Sequence, residues 1–202
     1  MSENQRINII ETASEKMRIA GIRSVSIDDI CRELGMSKKT FYVYFETKDQ
    51  LIDALLRRRE ELMQEDLIKK TKGKTIVELV YGFITLIKNV KDVRQVPALV
   101  YDLQKYYPQQ LQAHLERLKM VNRTLAAQYL RQGIEEGFFR KDLNIDATAR
   151  VIAGLHQVML DKMSHPKSGS SIIQDSKLAI DIFFRGIVSE QGKAEFIQRM
   201  KE

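Results

Sequence analysis

Apolar residues recur along most of the chain at steps of three and four, the period of an amphipathic helix rather than the alternation of a strand. Residues 4–20 place Ile7, Ile10, Ala13, Met17 and Ala20 on one face, and Gly21 follows as a stop because glycine tolerates the left-handed conformation. A second helix is predicted from Ser26, whose spacing to Asp29 is that of a capping box. Asp28 and Asp29 also suit the positive end of the helix dipole. Ile27, Ile30, Cys31 and Leu34 form its apolar face, and Gly35 ends it. Ser37 can cap a short third helix over 38–45. A fourth, over 48–70, turns Leu51, Ile52, Leu55, Leu62 and Met63 inward.

A polar stretch over 71–74 is the clearest break. Beyond it the pattern predicts helices over 75–90, 96–107, 109–136, 146–163 and 171–189. Pro97 falls in a first turn and Pro108 between two helices. The expected fold is all-α, with about nine helices and short connections. It divides into an N-terminal domain over 1–47 and a larger body over 48–202, joined through the fourth helix.

Composition agrees with a helical globular chain. Of 202 residues 44% are hydrophobic and 30% charged, with only 10 Gly and 3 Pro. The single cysteine, Cys31, excludes an intrachain disulfide and a Cys-based zinc cluster, and reads as a small core residue. Asn4, Gln5, Arg6 and Glu11 interrupt any early apolar run, and no stretch approaches the ~18 apolar residues of a membrane span. The expected compartment is therefore cytoplasmic. The net charge of +6 fits nucleic acid, an anionic surface or acidic ligands, so the placement of charge has to decide.

Placement favours residues 26–51. Two short helices flank Gly35-Met36-Ser37, the layout of a helix-turn-helix whose second helix enters the DNA major groove. Gly35 permits the reversal and Met36 plugs the gap. Phe41 and Phe45, four apart, share one face and would pack on Ile30 and Leu34. That leaves Lys38, Lys39, Thr40, Tyr42 and Tyr44 on other faces. Lysines suit phosphates or guanine edges, hydroxyls suit phosphates or base edges, and Ser37 helps present amides to a phosphate. The same pattern also fits a helical hairpin inside a core with a solvated lysine pair.

The run Thr40-Phe41-Tyr42-Val43-Tyr44-Phe45, followed by Lys48 and Leu51, resembles the TetR family of bacterial transcriptional regulators. The strong resemblance covers residues 7–56. A looser one covers Gly133-Ile134-Glu135-Glu136-Gly137-Phe138-Phe139-Arg140 through Leu143, whereas 69–132 carries no matching motif. The resemblance implies phosphate contacts at Ser26, Ser37, Tyr44 and Lys48. It implies base-edge or nearby backbone contacts at Lys38, Lys39, Thr40 and Tyr42. Lys39 departs from the family pattern, where many members have Gly or Ala; a long cation there strengthens phosphate or guanine contact.

No other constellation competes. His114, His156 and His165 form no ligand pair at helical spacing, and no glycine-rich phosphate loop or nucleophile grouping is present. No catalytic residue, metal or cofactor is expected. Arg57 to Glu61 reads as a solvated face with i, i+4 pairing, and Lys69, Lys70, Lys72 and Lys74 as a solvated basic loop.

The body supplies two further expectations. Its last two long helices are apolar on more than one face, which suggests a homodimeric four-helix bundle through Val151, Leu155, Val158, Met159, Ile180, Phe183, Phe184 and Ile187. Burial within one large core is the alternative. Phe83, Leu86, Ile87, Leu99, Tyr101, Leu103, Tyr106, Val121, Leu125 and Tyr129 are candidates to line a small-molecule cavity. The reading is thus a dimer on a pseudo-palindromic duplex operator, released by an unknown effector, with no membrane partner. Two other classes stay open. One is a DNA-bound structural or division-related protein of similar fold without a ligand. The other is an enzyme, which a cleft of perturbed titratable groups would favour.

Overall fold

The computed structural model describes residues 2–88, 97–163, 178–179 and 181–201. Of these, the side chains of 83–84, 86–88, 97–98, 156–163 and 199–201 are not described. The helices are α1 (Glu3–Ala20), α2 (Ile27–Glu33), α3 (Lys38–Tyr44), α4 (Lys48–Thr71), α5 (Ile76–Lys88), α6 (Pro97–Tyr106), α7 (Pro108–Glu135), α8 (Ile145–Met163) and α9 (Glu190–Lys201). Residues 178–179 and 181–187 are also helical. The all-α reading holds: among the described residues the extended pairing is one isolated antiparallel bridge, Phe139 with Val188. Pro97 and Pro108 each open a helix, where the absent N–H costs nothing. Pro108 thus begins α7 rather than separating two helices.

The chain packs as two compact units. The first comprises Met1–Lys69 with Ala98–Arg117, and the second Lys70–Pro97 with Leu118–Glu202. The first unit therefore extends past residue 47 and takes in α6 and the start of α7.

The core of the first unit contains Ile9, Ile10, Ala13 and Met17 of α1, Ile30 and Cys31 of α2, Phe41 of α3, and Leu51, Ile52 and Leu56 of α4. Ile22, Val25, Phe45, Ala54, Leu103 and Tyr107 also belong to it. The α1 face is close to the expected one, except that Ile9 joins it and Ala20 is exposed. On α4 the buried positions end at Glu60. Leu62 and Met63 are 45% and 57% exposed, against expectation, because the apolar period continues beyond the length of helix that the rest of the unit covers.

The second unit is built on Ile76, Val80, Ala126, Leu130, Phe138, Phe139, Ala149, Ile187, Val188 and Phe196. Gly133 permits its tightest approach: a Cβ there would stand 2.2 Å from Cδ2 of Phe139. Gly137, at φ +78°, then turns the chain so that Phe138 and Phe139 enter this core. No helix among the described residues is long and apolar enough to cross a membrane.

Candidate nucleic-acid interface

The α2–α3 segment forms as its sequence dictates. The Ser26 hydroxyl accepts from the Asp29 amide at 3.2 Å, and the Asp29 carboxylate accepts from the Ser26 amide at 2.9 Å, closing the capping box. The same carboxylate also accepts a hydrogen bond from the Ser26 hydroxyl at 2.5 Å, and these bonds hold the Asp29 carboxyl below the ordinary range. Gly35 adopts φ +61° at the turn, where a Cβ would be strained. Met36 is half-buried against the core, and its amide donates to the Cys31 carbonyl at 3.0 Å. Ser37 caps α3 by accepting from the Thr40 amide at 3.0 Å, and the Ser37 and Thr40 hydroxyls lie 2.9 Å apart.

Phe41 is fully buried and Phe45 nearly so, with ring centroids 5.9 Å apart. This anchor fixes which face α3 turns outward. Ser37, Lys38, Lys39, Thr40 and Tyr42 are all exposed, as the sequence reading expects. Tyr42 is 47% exposed and Val43 55%; with Lys39 they sit at steps of three and four, hence on one stripe. Val43 is absent from the sequence-based candidates, although its i+4 relation to Lys39 places it on that stripe.

The two lysines that open α3 differ. Lys38 Nζ pairs with the Asp28 carboxylate at 2.7 Å, whereas Lys39 projects from the helix surface. Tyr44 is half-buried against the core. Lys48 departs most from its expected phosphate role. Its ammonium donates to the carbonyls of Ile22 at 2.7 Å and Val25 at 2.6 Å, so it braces the α1–α2 turn. Burial pushes it below the ordinary lysine value, opposed by the charges of Asp102 and Asp29.

A buried ion cluster ties α4 to α7 within the first unit. Glu60 is 8% exposed and accepts from Arg117 Nε and Nη2, both at 2.9 Å at closest, while His114 Nδ1 lies 2.6 Å from it. Arg117 also reaches Asp53 at 3.2 Å. Arg57 pairs with Asp53 at 2.8 Å, and Arg58 with Glu61 at 3.5 Å, rather than Arg57 with Glu61.

The expected ligand-cavity residues do not form one group. Leu99, Leu103 and Tyr106 pack with the first unit's core, Leu103 being buried in it, and Tyr101 is exposed. Val121, Leu125 and Tyr129 are half-buried and belong to the second unit. The side chains of Phe83, Leu86 and Ile87 lie outside the described residues. A cleft of about 390 Å³ does open on the first unit, but its wall is polar, with Arg6, Asp49, Gln50, Asp53, Arg57 and Gln110 beside Tyr44, Phe45 and Ala54. None of the expected cavity residues is in it.

Among the expected dimer residues, Val151 is exposed and Leu155, Phe183 and Phe184 are half-buried. Ile187 is buried in the second unit's own core. Val158, Met159 and Ile180 lie outside the described side chains. Leu178 and Ile182 are exposed apolar residues of the same segment.

Comparison with known proteins places this geometry. Residues 9–55 match the model of bacterial regulatory proteins, tetR family. The chain is 25% identical over 154 residues, 74% of its own length and 76% of the relative's, to the HTH-type transcriptional repressor KstR2 of Mycobacterium tuberculosis. Its fold is similar to that of a transcriptional regulator from Cytophaga hutchinsonii, with a TM-score of 0.70 at 19% identity over 93% of this chain and 100% of that one. It is also similar to a transcriptional regulator from Saccharomonospora viridis in complex with choline, with a TM-score of 0.60 at 21% identity over 94% and 100% of the two chains. With its turn at Gly35 and its anchored α3, the N-terminal head over residues 9–55 matches the tetR family of bacterial regulatory proteins.

Proposed function

We propose that the chain is a ligand-responsive transcriptional repressor that binds a pseudo-palindromic operator as a homodimer, with α3 in the major groove. The observation that carries this is the anchored helix: burial of Phe41 and Phe45 commits the opposite face, Lys39, Tyr42 and Val43, to solvent. Lys39 suits guanine O6 and N7 or a phosphate, and Tyr42 suits a base edge or backbone. Ser37, Thr40 and Tyr44 supply hydroxyls toward the phosphates. Lys38 approaches the duplex with its charge shared with Asp28. Ser26 and Lys48 act through the framework of the head, because their polar atoms are taken up by the cap and the turn.

A dimer would set two copies of α3 one helical turn apart, roughly 34–36 Å, to meet two half-sites. The exposed apolar residues Val151, Leu178 and Ile182 support self-association through the second unit. An effector that prefers another spacing would weaken operator binding, typically by ~1–3 kcal/mol of coupling, and the operator would weaken effector binding equally. The expected compartment is the one that holds the chromosome, the cytoplasm.

Selection of bound sequences from random DNA tests the reading. An enriched inverted repeat is expected, and a metabolite panel should contain a compound that releases the chain from it. No enrichment would refute sequence-specific binding. An enriched site that no compound releases and that does not alter transcription would favour a structural DNA-bound role.

A further inference from the structure

The turn between α1 and α2, residues 21–25, is held by helices that come much later in the chain. From α4, Lys48 donates to the carbonyls of Ile22 at 2.7 Å and Val25 at 2.6 Å. From α6, the Asp102 carboxylate accepts from the Ile22 amide at 3.0 Å and from the Arg23 amide at 3.5 Å. Arg23 Nη1 donates to the Tyr106 hydroxyl at 2.9 Å, and its guanidinium lies 5.1 Å from the Tyr106 ring centre. Gly21 admits the carboxylate closely: a Cβ at that position would stand 3.3 Å from Asp102 Oδ2.

Ile22 is therefore bound at both ends of its backbone. Its N–H meets an anion and its C=O meets a cation, each charge matched to the local dipole. Ile22 and Val25 themselves are buried in the core. Immediately after Val25 comes Ser26, the cap of α2. Beyond it α2 bears Ile30 against the same core as Phe41, and Asp28 against Lys38. The turn thus sets the line of α2, and α2 sets the seat of α3.

On the reading that α3 binds DNA, we propose that Asp102 is a positioning residue for operator binding. Together with Lys48 it fixes the α1–α2 turn and through it the recognition helix. The carboxylate comes from 80 residues beyond the amide it binds, so the DNA-reading head is completed by a residue outside the N-terminal segment.

Charge and position predict opposite signs here. Removing a carboxylate makes the chain more cationic, which by bulk electrostatics leaves DNA affinity unchanged or raises it. Loss of a positioning contact lowers it. Asp102→Ala in the full chain is expected to bind the selected operator about tenfold more weakly, about 1.4 kcal/mol, with an unchanged slope of log K against log salt. Asp102→Asn keeps an acceptor and should fall between, about threefold weaker. Exchange of the Ile22 amide should quicken in the same order. Folding of each variant is checked by circular dichroism at the assay temperature; if Asp102→Ala is unfolded, Asp102→Asn decides alone. Operator binding by a folded variant equal to or tighter than the original overturns the proposal. So does unchanged Ile22 exchange, or a salt slope altered by about one unit. If the original chain enriches no sequence, the DNA-binding reading fails instead, and the exchange order alone tests the brace.

Discussion

Replacing Glu60 by alanine is expected to destabilise the first unit by about 2–3 kcal/mol. Breaking a buried ion pair typically costs about 3–5 kcal/mol, because the surviving charge is left uncompensated. Here Arg117 loses its contacts to both Glu60 oxygens at 2.9 and 3.1 Å but keeps Asp53 at 3.2 Å. Its side chain is 21% exposed, so water also offsets part of the loss, and the expected cost lies below the full range. His114, 2.6 Å from Glu60, loses its partner as well. For a chain of this length each kcal/mol moves the melting temperature by about 2–4 °C, so a drop of roughly 4–12 °C should appear in thermal unfolding followed by circular dichroism. A cycle of Glu60→Ala, Arg117→Ala and the double variant isolates the pair. Its coupling energy should be about 1.5–2 kcal/mol, and a value under about 0.5 kcal/mol would refute the assigned role of the cluster.

Acid gives a second reading of the same group. Burial opposes the charged form of Glu60, but the hydrogen bonds and charges of Arg117 and His114 outweigh it and hold the carboxyl below the ordinary glutamate value. The unfolded chain takes up this proton near pH 4.3, and the folded chain only at lower pH. The contribution is therefore complete above about pH 4.3 and is lost as pH falls through the folded value. Glu60→Gln should lack this part of the acid loss, so its stability gap to the original chain narrows between pH 7 and about 3.5. A gap of constant size would mean that the charge of Glu60 is not what stabilises the unit.

Three further outcomes follow from particular contacts. Lys48→Ala should weaken operator binding without changing the salt slope, because its ammonium braces Ile22 and Val25; a slope reduced by about one unit would restore it as a phosphate contact. Lys39→Ala should change the sequence preference in a repeated selection, whereas a uniform loss over all sequences would assign Lys39 to the DNA backbone. Gly133→Ala should destabilise the second unit by about 1–3 kcal/mol in urea titration, since the new Cβ would meet Phe139 at 2.2 Å; a gain in stability would show that the aromatic ring yields readily.

The helix-turn-helix was legible because its determinants are local. The Ser26–Asp29 spacing, the glycine at φ +61° and the Phe41–Phe45 step each act within four residues, so the pattern and the geometry agree. What was illegible is which polar groups already have partners. Lys38 and Lys39 are the same residue type one position apart, yet Asp28 claims only the first. Lys48 lies where a phosphate contact is expected, but its carbonyl partners are 23 and 26 residues back. Helical periodicity likewise says that a face is buried without saying against what. By its spacing Leu103 is a candidate for either a cavity wall or plain core, and the structure buries it in the core that holds Phe41. The helix Glu190–Lys201 carries a weak periodic signal because its sequence is polar and Phe196 is its main apolar anchor.

These long-range partners bear on what the DNA-binding head is. Residues 9–55 carry the family match, and the sequence suggested a boundary at 47. A segment ending there would lack Leu51, Ile52 and Leu56, which share the core of Ile9, Met17 and Phe41. It would also lack Leu103 and Tyr107, and would leave Ile22 without both Lys48 and Asp102. Burying one leucine or isoleucine contributes about 1.5–3 kcal/mol, so losing four such residues removes about 6–12 kcal/mol, comparable to a typical margin of stability of about 5–15 kcal/mol. The recognition motif is local in sequence, but the body that holds it rigid is assembled from α1 to α4 together with residues 98–117. Any change in α6 is then a change in the DNA-reading unit itself.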